Sequence, residues 1–92
     1  MRKPNKWHKG VVFLIASSRH EAKLTQEELA KKLGWSRAKV CKIESGERRI
    51  DVPEFIEIAF ALDMPPEQLF ARVIQWVNCV EAWKNGKPFH PK

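Results

Sequence analysis

The stretch that most constrains this chain is Thr25 to Gly46, TQEELAKKLGWSRAKVCKIESG, because it spells two short helices with only a tight turn between them. Thr25 followed by Glu28 is a capping box, in which side chains satisfy the free amides at a helix start. Leu29, Ala30 and Leu33 form the inner face of that helix, and Gly34 stands just past its end, where the backbone needs a positive φ. Ser36 then caps a second helix, Val40 and Ile43 are its inward residues, and Gly46 is its stop. The other face of this second helix carries Arg37, Ala38, Lys39 and Lys42. Helices joined this closely cross steeply, so the cation-rich face of the second stands proud of the domain.

Gln26, Leu29, Ala30, Gly34, Val40, Ile43, Glu44 and Gly46 together resemble, in type and spacing, the Cro/phage-repressor (XRE-like) helix-turn-helix family. The resemblance runs from about Leu14 to Phe70 and includes IDVPEFIEIAFALDMPPEQLF, which is similar to the fourth and fifth helices of that family's domain. It implies an all-α fold, a compact five-helix phage-repressor-like DNA-binding domain, here with an extended C-terminal helix. It also places Arg37, Ala38 and Lys42 at base-reading positions, consistent with a helix whose N-terminal turns face the edges of bases in the major groove. Gln26 resembles the family glutamine that grips a phosphate through a helix N-terminus and braces the first reading residue. The residues corresponding to Arg19 and Glu44 form a partly buried ion pair in the family, so the same pair is expected here, tying the first helix to the recognition helix. Ser36, Lys39, Arg48 and Arg49 are assigned to phosphate oxygens, and Arg37, Lys39 and Lys42 are not read as ordinary solvated charges because the helix offers nothing acidic to pair them. Trp35 is expected to plug the turn.

Charge agrees with a polyanionic partner, and its distribution says more than the formal net charge of +6. Between Arg37 and Arg49 lie five bases and two acids, whereas Ile50 to Ala71 holds five acids and no Lys or Arg. A basic side and an acidic side would orient the protein on a duplex, with phosphate contacts supplying most of the non-specific affinity.

Three segments are expected: a basic N-terminal arm at 1–10, the helix-turn-helix domain at 11–70, and a C-terminal helix extension and tail at 71–92. The arm, MRKPNKWHKG, reads either as a frayed terminus or as a strand of cations reaching a minor groove or phosphates. The first helix is expected from about Val11 to Ala22, with Val11, Leu14 and Ile15 facing the core. Asp51 and Glu54 form a second capping box, and Val52, Phe55, Ile56, Ala59 and Leu62 follow at helical spacing. Phe60 departs from the family, which usually has a polar residue there, so something should cover it. The last helix should begin at Pro66 and end at Asn85 and Gly86, with an apolar stripe of Leu69, Val73, Trp76, Val80 and Trp83 beside Phe70, Ile74 and Val77. That much apolar surface calls for burial on two sides. Phe60, Val73, Trp76, Val80 and Trp83 are therefore expected to meet a second copy in a homodimer, the alternative being that Trp76 and Trp83 fold over Phe60 in a monomer.

Other chemistries find little support. Cys41 and Cys79 are far apart with no metal-ligand spacing, which fits a reducing cytoplasm, and the longest apolar run, Val11 to Ala16, is too short to span a membrane. His8, His20 and His90 are scattered, so neither an enzyme, a metal site nor a cofactor is expected. The expected protein is a cytoplasmic, prokaryotic or phage-encoded regulator that binds specific double-stranded DNA sequences and acts as a repressor. A rival of a different kind is an antitoxin that binds its own operator and also covers a small toxin through Phe60 and the last helix. A restriction-modification controller or a lysis-lysogeny repressor would differ only in target genes.

Overall fold

The computed structural model describes residues 5–84, which form the helices α1 (Lys6–Glu21), α2 (Gln26–Leu33), α3 (Arg37–Glu44), α4 (Val52–Ala61) and α5 (Pro66–Lys84). Both capping boxes are formed. The Thr25 hydroxyl accepts from the Glu28 amide while the Glu28 carboxylate accepts from the Thr25 amide, and Asp51 and Glu54 do the same at the start of α4. The Thr25 bonds hold the Glu28 carboxyl below its ordinary range.

α1 begins earlier than the sequence predicts. Asn5 caps it by accepting from the His8 amide, so Lys6 to Gly10 belong to the helix and not to a separate arm; the first four residues of the expected arm lie outside the described residues. Asn85, Gly86 and the tail that follows also lie outside them.

α1, α2 and α4 end through the same device. Past the end of α2, Gly34 has φ 70°, and the Trp35 amide reaches back to the Ala30 carbonyl. α1 and α4 end alike, with Leu24 bonded to Arg19 and Met64 to Ala59, but there the left-handed residues are Lys23 at φ 60° and Asp63 at φ 55°. These close the last turn at some conformational cost, because a Cβ disfavours that region.

Two apolar clusters fill the interior, with α1 between them. Ile15 joins Leu29, Ala30, Val40, Ile43, Ile58 and Leu62, which packs α2, α3 and α4 together. Its neighbour Leu14 turns to the other cluster with Ala59, Leu69, Val73 and Val77. α1 and α5 meet at Gly10, where an added Cβ would collide with the Val77 side chain. Glycine inside a helix costs roughly 1 kcal/mol of helix propensity relative to alanine, and here it lets the two helices approach.

This packing corrects the expected partner surface. Val73 is 3% exposed and belongs to the protein's own core. Trp76 is half-buried and stacks on Phe13 of α1, with ring centroids 4.6 Å apart, and Val80 is also partly covered. Neither Trp76 nor Trp83 covers Phe60, since α5 folds against α1; Phe60 and Trp83 are 64% and 81% exposed. The four-three stripe on α5 therefore reports mainly an intramolecular contact. Among the described residues no helix is long and apolar enough to cross a membrane.

Candidate nucleic-acid interface

The position of α3 is fixed from below by a buried ionic network. Arg19, 7% exposed, donates through Nε to Glu44 Oε2 at 2.7 Å and through its second amino group to Glu44 Oε1 at 3.0 Å. Its remaining amino group donates to the Leu24 carbonyl at 2.7 Å. A guanidinium has five N–H donors in a fixed plane, so one side chain joins α1, the following loop and α3 in a set geometry. Gln26 completes the network, donating from Nε2 to Glu44 Oε1 at 3.0 Å. One N–H of its side-chain amide is thus engaged inside the protein, which leaves the second N–H and Oε1 for the expected contacts with a phosphate and the first reading residue.

Val40 and Ile43 bury the inner side of α3, leaving Arg37, Ala38, Cys41, Lys42 and Ser45 exposed on the outer side. No ion pair engages Arg37, Lys42 or Arg49 among the described residues. Cys41 was missed as a member of this face. Its position four residues after Arg37 gives it away, but a cysteine invites thought of disulfides and metals before helical phase. Both cysteines are free, and no cluster of three or more His, Cys, Asp or Glu among the described residues is arranged to hold a metal.

A second cluster flanks this face, and the sequence reading did not foresee it. Glu54, in the first turn of α4, accepts two parallel bonds from the Arg48 guanidinium, each 2.9 Å, and its Oε2 also lies 3.0 Å from Lys39 Nζ. The Lys39 ammonium sits 3.8 Å above the Trp35 ring, so Trp35, packed against the first cluster, both fills the turn and seats a cation. These bonds hold the Glu54 carboxyl down at about 2, the Arg48 fork contributing most, and hold the Arg48 guanidinium above its ordinary value. Lys39 and Arg48 are therefore not the unpaired cations expected from α3 alone: their acidic partner comes from the next helix. Ser36 is exposed but spends its hydroxyl accepting from the Lys39 amide as the cap of α3.

A groove of about 440 Å³ lies behind α3, lined by His8, Val12, Phe13, Ala16 and Gly46, among others. His8 Nε2 lies 3.2 Å from the Gly46 carbonyl, pinning the start of α1 to the end of α3.

The helix-turn-helix domain family matches residues 13–71, more than half of the chain. An XRE-family like protein from Pseudomonas syringae pv. tomato is 32% identical, with a TM-score of 0.69 over 75% of this chain and 83% of that one. The restriction-modification controller protein C.Esp1396I, solved as a tetramer in complex with its natural 35 base-pair operator, is 27% identical, with a TM-score of 0.73 over 77% and 93% of the two chains. The clp gene regulator ClgR of Corynebacterium glutamicum shares the fold at 14% identity, with a TM-score of 0.79 over 90% and 88%. No curated protein matches the chain. With the capped helix pair, the outward cationic face and these likenesses together, the chain belongs to the helix-turn-helix domain family, of the XRE-like kind.

Proposed function

We propose that this protein is a transcriptional regulator that recognises a specific double-stranded DNA sequence with α3 in the major groove and represses by occupying that site. The observation that carries the reading is the outer face of α3, where Arg37, Ala38 and Lys42 stand exposed and unpaired among the described residues. Arg37 suits two hydrogen bonds to guanine O6 and N7, Lys42 donation to guanine, and Ala38 contact with a thymine methyl. Cys41 adds a small apolar contact between them. Arg49, Ser36, the backbone amide of Gln26 and the donors of Lys39 and Arg48 that Glu54 leaves unused are assigned to phosphates, which set register and supply salt-sensitive affinity.

A homodimer follows as part of the same proposal, since a relative assembles as a tetramer on its operator. Phe60 is the centre of the proposed seam, with Ile56 and Val52 one and two turns before it on α4 and Phe70 on α5, all exposed. Sedimentation of the purified protein tests this, and a monomer that associates only with a second, toxic polypeptide would favour the antitoxin role instead.

Selection of duplexes from a random pool, followed by anisotropy titration, tests the main claim. An inverted repeat with half-sites about one helical turn apart is expected. Arg37→Ala should cost about 1–3 kcal/mol on the selected site and relax preference at one position, while Arg49→Ala should weaken all sequences alike and lower the salt slope by about 0.9. No uptake of duplex in dilute buffer, or equal losses for both variants on selected and random DNA, would overturn the assignment.

A further inference from the structure

The Glu54 cluster does something that the major-groove reading leaves unexplained. Its carboxylate is only 12% exposed, yet it faces two cations whose side chains remain 28% and 39% exposed, so Lys39 and Arg48 reach solvent more than the carboxylate between them does. A guanidinium fork and an ammonium converging on one carboxylate present the donors from which a DNA phosphate would also accept. Glu54 thus stands where an internal competitor for phosphate would stand. The three charges sum to one positive charge, two cations less one carboxylate.

Resting on the DNA-binding reading above, we infer that Glu54 limits sequence-independent DNA affinity. By holding Lys39 and Arg48 on one buried carboxylate, it makes the three side chains act toward the phosphate backbone as a single cation. The arrangement keeps both cations ordered, Lys39 over Trp35 and Arg48 in its fork, while cutting the counterions they release. Less non-specific affinity leaves more of the discrimination to the base-reading face, because specificity is the ratio of the two affinities.

The charge of Glu54 can be removed almost without changing its shape. Gln at this position still accepts at Oε1 from the Asp51 amide, as a capping box allows. In titrations of random duplex between about 50 and 200 mM salt, Glu54→Gln should bind more tightly at the low end and steepen the salt slope by about 0.9, a further three- to fourfold loss across that range. Arg48→Gln should make the slope shallower by about the same amount. The double variant Arg48→Gln/Glu54→Gln leaves only the solvent-reaching Lys39 without a carboxylate and should return to the parent slope, so it tests the inference even if Glu54→Gln alone unfolds. A merely structural clamp predicts otherwise: weaker binding by Glu54→Gln at an unchanged slope, and a double variant as shallow as Arg48→Gln. Either result overturns the inference while leaving the DNA-binding reading intact. Failure of the parent protein to take up any duplex overturns the functional reading itself, and this inference with it.

Discussion

The two halves of this small domain are held by different physics. Around α3, the apolar packing of Val40 and Ile43 is joined by directional bonds: the Arg19–Glu44–Gln26 network below it and the Lys39–Glu54–Arg48 cluster beside it. Between α1 and α5 the contact is mainly apolar, Leu14, Val73 and Val77 around a glycine, with Phe13 stacked on Trp76 and one Arg72–Glu21 pair, 3.5 Å long, at the exposed edge. Apolar burial is strong but tolerant of small rotations, whereas a guanidinium–carboxylate fork is satisfied at one angle. The half that must present side chains at a fixed angle uses the second kind of bond, and the half that must only cohere uses the first.

Substitutions can break this contrast, and the largest effect should come from Glu44→Ala. It leaves the buried Arg19 guanidinium without its carboxylate and should lower unfolding free energy by about 3–5 kcal/mol in urea titration. Replacing both Arg19 and Glu44 by methionine should recover much of that stability while loosening sequence preference, since the angle of α3 would lose its reference. Recovery of both stability and preference would show that the ionic network sets no angle.

In the apolar half, Gly10→Ala should destabilise by about 1–3 kcal/mol despite alanine's better helix propensity, because the methyl meets Val77. Thermal melting measures this, and the salt slope of DNA binding should not move. A stabilised variant would mean that α5 shifts freely over α1.

Acid unfolding should expose the cluster beside α3 as a smaller effect. Glu54 has a folded value of about 2 against an ordinary 4.5, so the folded state resists protonation more than the unfolded chain does. Its stabilising contribution is complete above the ordinary value and is lost as pH falls toward 2, where both states are protonated. Between these limits Glu54→Gln should show a flatter decline of stability with falling pH than the parent protein. The smallest effect is expected from Lys23→Gly, a gain of up to about 1 kcal/mol, because glycine adopts the left-handed turn after α1 without crowding.

What could be read from the sequence was whatever has local grammar. Thr25 with Glu28, Gly34 and Asp51 with Glu54 are signals within one or two turns of chain, and each helix boundary marked by such a signal falls within a residue or so of its expected place. Lys23 and Asp63 occupy the same left-handed role as Gly34 but carry no such mark, since their conformation is imposed by the helices they join. The start of α1 was hidden because Asn5 looked like part of a basic arm, and Gly10 gave no sign that α5 would pass against it. Charge partners were the least legible. Glu54 was recognised as a cap, but its bonds to Lys39, fifteen residues earlier, and to Arg48 exist only once α4 is docked. The apolar stripe on α5 was visible, yet periodicity shows that a face is buried without naming what buries it: Val73 faces its own α1.

Adjacent residues on α1, Leu14 and Ile15, enter opposite clusters, and this gives the helix the character of a key with two bits cut at different angles. Turning it enough to free one bit jams the other. The helix that bonds through Arg19 to Glu44 is also the one against which α5 packs, so the reading face and the C-terminal helix rest on one shared support.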